Sequence, residues 1–269
     1  MLTSNIKFKN FNIKKIKKIK NFKEELWFKK IKLFESFKAN YKYSYSKKQI
    51  RKFKKNKNFR LIGMGGSSLG AETIYQFLKY KIKKKFIFIN NLNPKIKEEE
   101  KKIKALNIII SKSGNTLETI ANSNLLINRG KNIFITENKK SHLKDLANIL
   151  KAEIIEHKNF IGGRYSVLSE VGMLPAEIMG LNERKFKRFN YLINSNNFLN
   201  ELIKNVSAIL MYVKTKKFNS IILNYDKNSD NLFKWYQQLV AESLGKKSKG
   251  ILPIISTMPS DNHSVLQLY

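Results

Sequence analysis

Twice along this chain, a short run of β-branched and aromatic residues ends in a glycine- or serine-rich loop that leads straight into a helical pattern. Residues 59–62 run into Gly63-Met-Gly-Gly-Ser-Ser-Leu-Gly70, and residues 107–111 run into Ser111-Lys-Ser-Gly-Asn-Thr-Leu-Glu-Thr119. Two more runs, 85–90 and 132–136, have the same β-rich character, and helical stretches at 71–80 and 117–128 lie among them. Strands that alternate with helices are joined by crossovers, which makes them parallel and covers both faces of the sheet. The expected fold class is therefore α/β, a three-layer α/β/α arrangement around a parallel sheet.

The rest of the chain is placed around that unit. Ile13, Ile16 and Ile19, followed by Trp27, Ile31 and Phe34, predict one or two amphipathic helices with lysines on the solvated face. Residues 53–57 read as a basic connector. A weaker strand at 153–155 precedes the glycine-rich stretch 161–172, and the Asn- and Lys-rich region 182–197 marks a boundary. A second βα pattern follows, with runs at 220–224 and 250–255 flanking a helix at 231–244; it holds too few strands for a complete sheet. The expected division is a helical segment at 1–56, a first domain at 57–185 and a partial second domain at 186–269.

A chain of 269 residues, 42% of them hydrophobic, is long enough to bury a sizeable core. The absence of cysteine excludes disulfides, thiolate metal sites and cysteine nucleophiles. No apolar run approaches the roughly 18 to 20 residues that cross a bilayer, and the lysine-rich start lacks the apolar core of a signal peptide, so a cytoplasmic protein is expected. The net charge of +33 suits an anionic partner. Because Lys, Asn and Ile are abundant along the whole chain, an AT-rich coding sequence explains the charge without any partner; no nucleic-acid recognition motif accompanies it, and none is expected to be bound specifically.

The two loops are where chemistry concentrates. Glycines at a strand-to-helix junction let backbone amides approach an anion while the helix N-terminus supplies a favourable dipole. The first loop is not the dinucleotide pattern, since position 68 is Ser, and no Gly-Lys-Ser/Thr closes it as a nucleotide-phosphate loop. The second offers the hydroxyls of Ser111, Ser113 and Thr116, suited to a phosphate monoester, although Ser and Thr also cap helices with no ligand at all. In an open parallel sheet, ligands bind beyond the carboxyl ends of the strands, where both loops converge.

These loops resemble those of the sugar isomerase (SIS) fold, and three further motifs resemble one family within it, glucose-6-phosphate isomerase. Ile161-Gly-Gly-Arg-Tyr-Ser-Val-Leu-Ser169 is similar to its arginine signature, Gln238-Leu-Val-Ala-Glu-Ser-Leu-Gly245 to its catalytic-glutamate segment, and Asp261-Asn-His-Ser-Val-Leu-Gln-Leu-Tyr269 to its histidine segment. The order and spacing agree from about Phe59 to the last residue.

The resemblance implies that Gly66, Ser67, Ser111, Lys112, Ser113 and Thr116 bind the substrate phosphate, Lys112 mainly through its backbone amide. It implies that Glu242 moves a proton between C1 and C2, that Arg164 stabilises the reacting oxygens, that Gln238 helps hold the sugar and that His263 helps open the ring. The chemistry accounts for these residue types. Isomerisation removes a proton beside a carbonyl, which needs a poised carboxylate, and the cis-enediol(ate) that forms is stabilised by a fixed guanidinium. No metal or redox cofactor is required. His142 and His157 match no site of the family and have no paired metal-ligand spacing, so they read as structural, as do Trp27 and Trp235.

The family continues beyond the point that matches Tyr269 and supplies a catalytic lysine near its C-terminus, next to the glutamate that corresponds to Glu118. The resemblance therefore implies that this chain is a fragment of a longer reading frame. It also implies a homodimer in which His263 serves the neighbouring subunit. A sugar-phosphate-binding module without catalysis is the alternative from another class, and isomerases that also accept mannose 6-phosphate share much of this chemistry.

Overall fold

The computed structural model describes residues 32–93, 103–127, 131–187, 195–246 and 249–269. The expected amphipathic stretch at 13–34 lies outside these up to residue 31; its end opens a 3-10 segment, Lys32–Phe37, which leads to the short helix α1, Lys47–Arg51. Ser46 caps α1, its hydroxyl accepting from Gln49 N while the Gln49 side chain accepts from Ser46 N.

Five strands form the main sheet: β1 (Asn58–Ile62), β2 (Lys85–Ile89), β3 (Leu106–Ile110), β4 (Asn132–Thr136) and β5 (Glu153–Glu156). Their order is β2-β1-β3-β4-β5 and every pairing is parallel. The helices between them are α2 (Leu69–Phe77), α3 (Leu117–Leu126) and α4 (His142–Ile149), followed by α5 (Glu170–Ile178). Alternate side chains of each strand enter separate cores. Phe59, Leu61, Ile108, Ile110, Ile133 and Ile135 pack with Ala71 and Ile74 of α2 and with α5. Ile62, Ile109 and Phe134 pack on the other face with Leu126 of α3 and Leu143 and Ala147 of α4. Burial on both faces is why β3 and β4 read as continuous apolar runs rather than alternating ones. The expected three layers are present.

The chain leaves β1 outward to β2 and then returns across it to β3, so β1 and β3 are neighbours whose crossovers depart in opposite directions. That is the switch point at which the two phosphate-type loops emerge side by side. A Cβ on Gly63 would lie 2.9 Å from Ile110 O, which shows how closely the loops start out.

Beyond residue 195 come α6 (Asn196–Lys214), β6 (Asn219–Asn224), α7 (Asp230–Leu244) and β7 (Leu252–Thr257). β6 and β7 form a two-stranded parallel sheet. Helix α7 leans on the first unit: Thr73 Oγ1 donates to Asn231 O at 2.9 Å, and Gln76 accepts from Asn231 N at 3.2 Å while donating to Lys227 O at 3.0 Å.

Three helices were not anticipated from sequence. α5 holds Gly172 and Pro175, both unfavourable in helix interiors, yet all nine of its residues are buried, and this packing overrides propensity. Gly172 is needed there because a Cβ would lie 2.1 Å from Val167 O. α4 is short, and α6 starts inside the polar region read as a boundary; Ser195 caps it by accepting from Phe198 N.

Candidate active site

Gly66 and Ser67 lie in a single 3-10 turn, Gly65–Ser67, between β1 and α2. Position 66 admits no side chain: a Cβ would be 2.3 Å from the carbonyl carbon of Gly163 and 2.8 Å from Arg164 N. The phosphate-type loop and the arginine loop are thus in backbone contact, and Ser166 Oγ secures them by donating to Gly66 O at 3.2 Å and to Gly163 O at 2.7 Å.

Ser111 follows β3 and Thr116 precedes α3 as its N-cap; their hydroxyls are 2.9 Å apart. Between them Gly114 adopts φ +68°, and a Cβ there would meet Ser141 Oγ at 2.2 Å, so this turn is built for glycine. Lys112 turns its ammonium away from the loop, donating to Asn159 O at 2.6 Å and lying 3.6 Å from Glu137. Ser113 Oγ accepts from Asn115 N at 3.2 Å.

Arg164 lies in the 3-10 segment Gly163–Leu168, whose position is fixed by Trp235 of α7: the indole Nε1 donates to Arg164 O at 3.0 Å. Gln238 and Glu242 follow Trp235 at helical spacing, so all three share one face of α7. Arg164 donates from Nη1 to Glu242 Oε2 at 3.1 Å and from Nε to Ser243 Oγ at 3.0 Å. Gln238 Nε2 donates to the other oxygen, Glu242 Oε1, at 2.8 Å. Gln238 also reaches the first loop, since its Nε2 is 2.9 Å from where a Cβ on Gly65 would be.

Tyr165 completes the group. Its hydroxyl is 3.0 Å from Ser243 Oγ and its ring lies 4.6 Å below the Arg164 guanidinium. Partial burial works to raise the Tyr165 pKa, but hydrogen bonding with Ser243 and Arg164 outweighs it and holds the phenol below its ordinary range. For Arg164, burial works downward and hydrogen bonding to Tyr165 and Glu242 outweighs that too, leaving it above its ordinary value.

Sequence reading missed Ser243 and Tyr165, although both stand beside residues it chose. It read Trp235 as packing alone, whereas that side chain also positions the arginine loop. His263 is not brought to the group: it is exposed in the 3-10 turn Ser260–His263, which is held by Asp261 Oδ2 accepting from Ser256 Oγ at 2.7 Å and Thr257 N at 2.8 Å. Glu118 sits in the first turn of α3. Among the described residues, no group of three or more side chains is arranged to hold a metal ion, and no helix is long and apolar enough to cross a membrane.

The sequence model of the family Phosphoglucose isomerase matches residues 29–256. The chain belongs to the phosphoglucose isomerase family. Among its relatives, the glucose-6-phosphate isomerase of Methanocaldococcus jannaschii is 35% identical over 229 residues, covering 79% of this chain and 56% of the relative. That of Campylobacter jejuni is 32% identical over 232 residues, covering 79% and 57%. The chain thus spans little more than half the length of these phosphoglucose isomerases. A hypothetical protein of Thermus thermophilus superposes with a TM-score of 0.74 at 22% identity, over 93% of this chain and 66% of that one. The glucosamine-6-phosphate deaminase of Thermotoga maritima does so with 0.54 at 14% identity, over 94% and 72%. These two likenesses carry the fold, a parallel α/β architecture of the SIS type.

Proposed function

We propose that this chain carries the phosphate-binding and base-bearing part of an aldose–ketose isomerase that interconverts glucose 6-phosphate and fructose 6-phosphate. The observation that carries this reading is the Arg164–Glu242–Gln238 group, in which Gln238 and Glu242 of α7 meet Arg164 of the 3-10 segment Gly163–Leu168 beside the Gly65–Ser67 turn. A carboxylate with a guanidinium on one oxygen, next to an anion-accepting loop, is what a proton shuttle beside a bound sugar phosphate requires.

In this mechanism, Gly66, Ser67, Ser111, Lys112, Ser113 and Thr116 bind the phosphate and fix the extended sugar. Glu242 removes the proton from C2 of open-chain glucose 6-phosphate. The C–H electrons form the C1–C2 double bond and the C1 carbonyl oxygen gains negative charge, which Arg164 neutralises. The O2 proton passes to O1, and as the C2–O2 bond becomes the carbonyl the C1–C2 double-bond electrons take the proton back from Glu242 at C1, which gives the ketone at C2 and the hydroxyl at C1. Gln238 orients Glu242 and contacts the sugar.

Residues 57–185 form the phosphate-binding unit and 186–269 part of a second unit that supplies the base. His263 acts in ring opening at the neighbouring subunit of a homodimer; its exposed position in the turn Ser260–His263 favours that placement. The setting is cytoplasmic.

The experiment is a coupled assay of glucose 6-phosphate formation from fructose 6-phosphate by the purified chain, with Glu242→Gln prepared in parallel to expose host isomerase. Activity lost in the variant supports the reading. Binding of fructose 6-phosphate by both proteins with turnover by neither replaces it with a binding module.

A further inference from the structure

We propose that the pole of the main sheet opposite the candidate active site is a binding surface for single-stranded nucleic acid, recognised through its phosphates and by stacking rather than by sequence.

In sequence the positive charge looks evenly spread; the fold brings two of its runs together. Stretches 47–57 and 79–85 together hold twelve Lys or Arg residues and no Asp or Glu. They lie far apart in the chain but meet where β1 and β2 begin: Lys85 N donates to Lys57 O at 3.0 Å, and Lys84 Nζ donates to Lys54 O at 2.7 Å. Eleven of the twelve are exposed. Among the described residues, Glu153 pairs with Lys52 and Glu183 with Lys47 at this pole. Burial, and after it the adjacent Lys54 ammonium, holds the Lys84 pKa below the usual lysine range. Strand β1 separates this pole from Gly63 and the phosphate-type loop.

Its aromatic content favours nucleic acid over a lipid surface. Tyr80 is 77% exposed, with Lys79 and Lys81 on either side in sequence and the Lys81 ammonium 5.1 Å from its ring centre. A flat ring flanked by cations accepts a base on its face while the phosphates meet the ammonium groups. Neither stretch exposes a large aliphatic side chain of the kind an interfacial membrane anchor buries.

The test measures fluorescence anisotropy of a labelled oligothymidylate at low and at physiological salt, using the full chain and two five-lysine variants. One replaces Lys54, Lys57, Lys81, Lys83 and Lys85 with Gln; the other replaces the exposed Lys140, Lys214, Lys216, Lys217 and Lys227 with Gln, removing the same charge elsewhere. We expect the first to lose affinity about tenfold or more and to flatten the salt dependence, and the second to lose only a few-fold. Tyr80→Ala is expected to weaken single-strand binding several-fold and duplex binding little. Equal losses in the two lysine variants overturn the proposal in favour of diffuse charge. Unchanged single-strand binding by Tyr80→Ala overturns the stacking site. Loss of binding to phosphatidylserine vesicles without loss of oligonucleotide binding overturns it in favour of a membrane surface. Circular dichroism verifies that each variant is folded.

Discussion

Arg164 Nη1 holds Glu242 Oε2 at 3.1 Å while Gln238 Nε2 holds Oε1 at 2.8 Å, so both oxygens of the candidate base are engaged before any sugar arrives. The arrangement fixes the direction of the carboxylate and places a positive charge beside it. In the proposed mechanism Arg164 exchanges Glu242 for substrate oxygen. Arg164→Lys keeps the charge but loses the planar fork. We expect kcat for fructose 6-phosphate to fall by about a hundredfold or more with a smaller change in KM, measured by steady-state kinetics.

Ser243 and Tyr165 also hold Arg164, through a 3.0 Å hydrogen bond at Nε and through ring stacking. Ser243→Ala frees Nε and loosens the guanidinium. A loss of roughly tenfold in kcat with KM nearly unchanged is expected, because a 1.4 kcal/mol change in transition-state positioning has that size. Ser243→Thr, which restores the hydroxyl, is expected to recover most of it.

Gly66→Ala forces a methyl group into the backbone of Gly163. The two loops must separate, and overpacking of this kind costs roughly 1–3 kcal/mol. Thermal unfolding is expected to shift downward, and calorimetry to show weaker binding of fructose 6-phosphate, since the phosphate turn moves with the strain.

Glu170 is fully buried at the start of α5, where it accepts from Tyr41 Oη at 2.9 and 3.0 Å, from Ser44 N at 3.0 Å and from Ser44 Oγ at 3.2 Å. It ties the stretch before β1 to the core. Glu170→Gln turns one acceptor into a donor facing these groups, and urea unfolding is expected to show a loss of roughly 2–3 kcal/mol.

His157 is 1% exposed, and burial holds its pKa below the ordinary histidine value; its Nδ1 lies 3.1 Å from Lys158 O. A folded-state pKa below the unfolded one means that the unfolded chain takes up the proton first as pH falls. Stability is therefore expected to decline on acidification below about pH 6.5. His157→Gln is expected to flatten that part of the profile, measured by urea titrations across the range.

The main sheet and both anion-type loops are legible because each rests on local signals, apolar runs of strand length ended by glycine or serine and followed by a helical period. α5 is not legible, because Gly172 and Pro175 argue against a helix until Val167 and the enclosing core are in place. In the candidate site, Arg164, Gln238 and Glu242 emerged from motif resemblance, whereas Ser243, Tyr165 and Trp235 became visible only once α7 had docked on α2. Their partners lie some 70 to 79 positions away in sequence, and no local pattern encodes such a pairing. The same holds for the basic pole, whose two runs join only through the β1–β2 register.

In the proposed mechanism Glu242 carries the proton between C1 and C2, and hydrogen exchange at these two carbons reports that transfer. Fructose 6-phosphate is incubated with the purified chain in deuterium oxide, and proton NMR follows the C1 signals of the ketose and the C2 signal of any aldose formed. The account predicts deuterium at both carbons with the natural chain and none above background with Glu242→Gln, while both proteins still bind the sugar phosphate. Exchange at the same rate in the variant, or none with the natural chain despite binding, would contradict it.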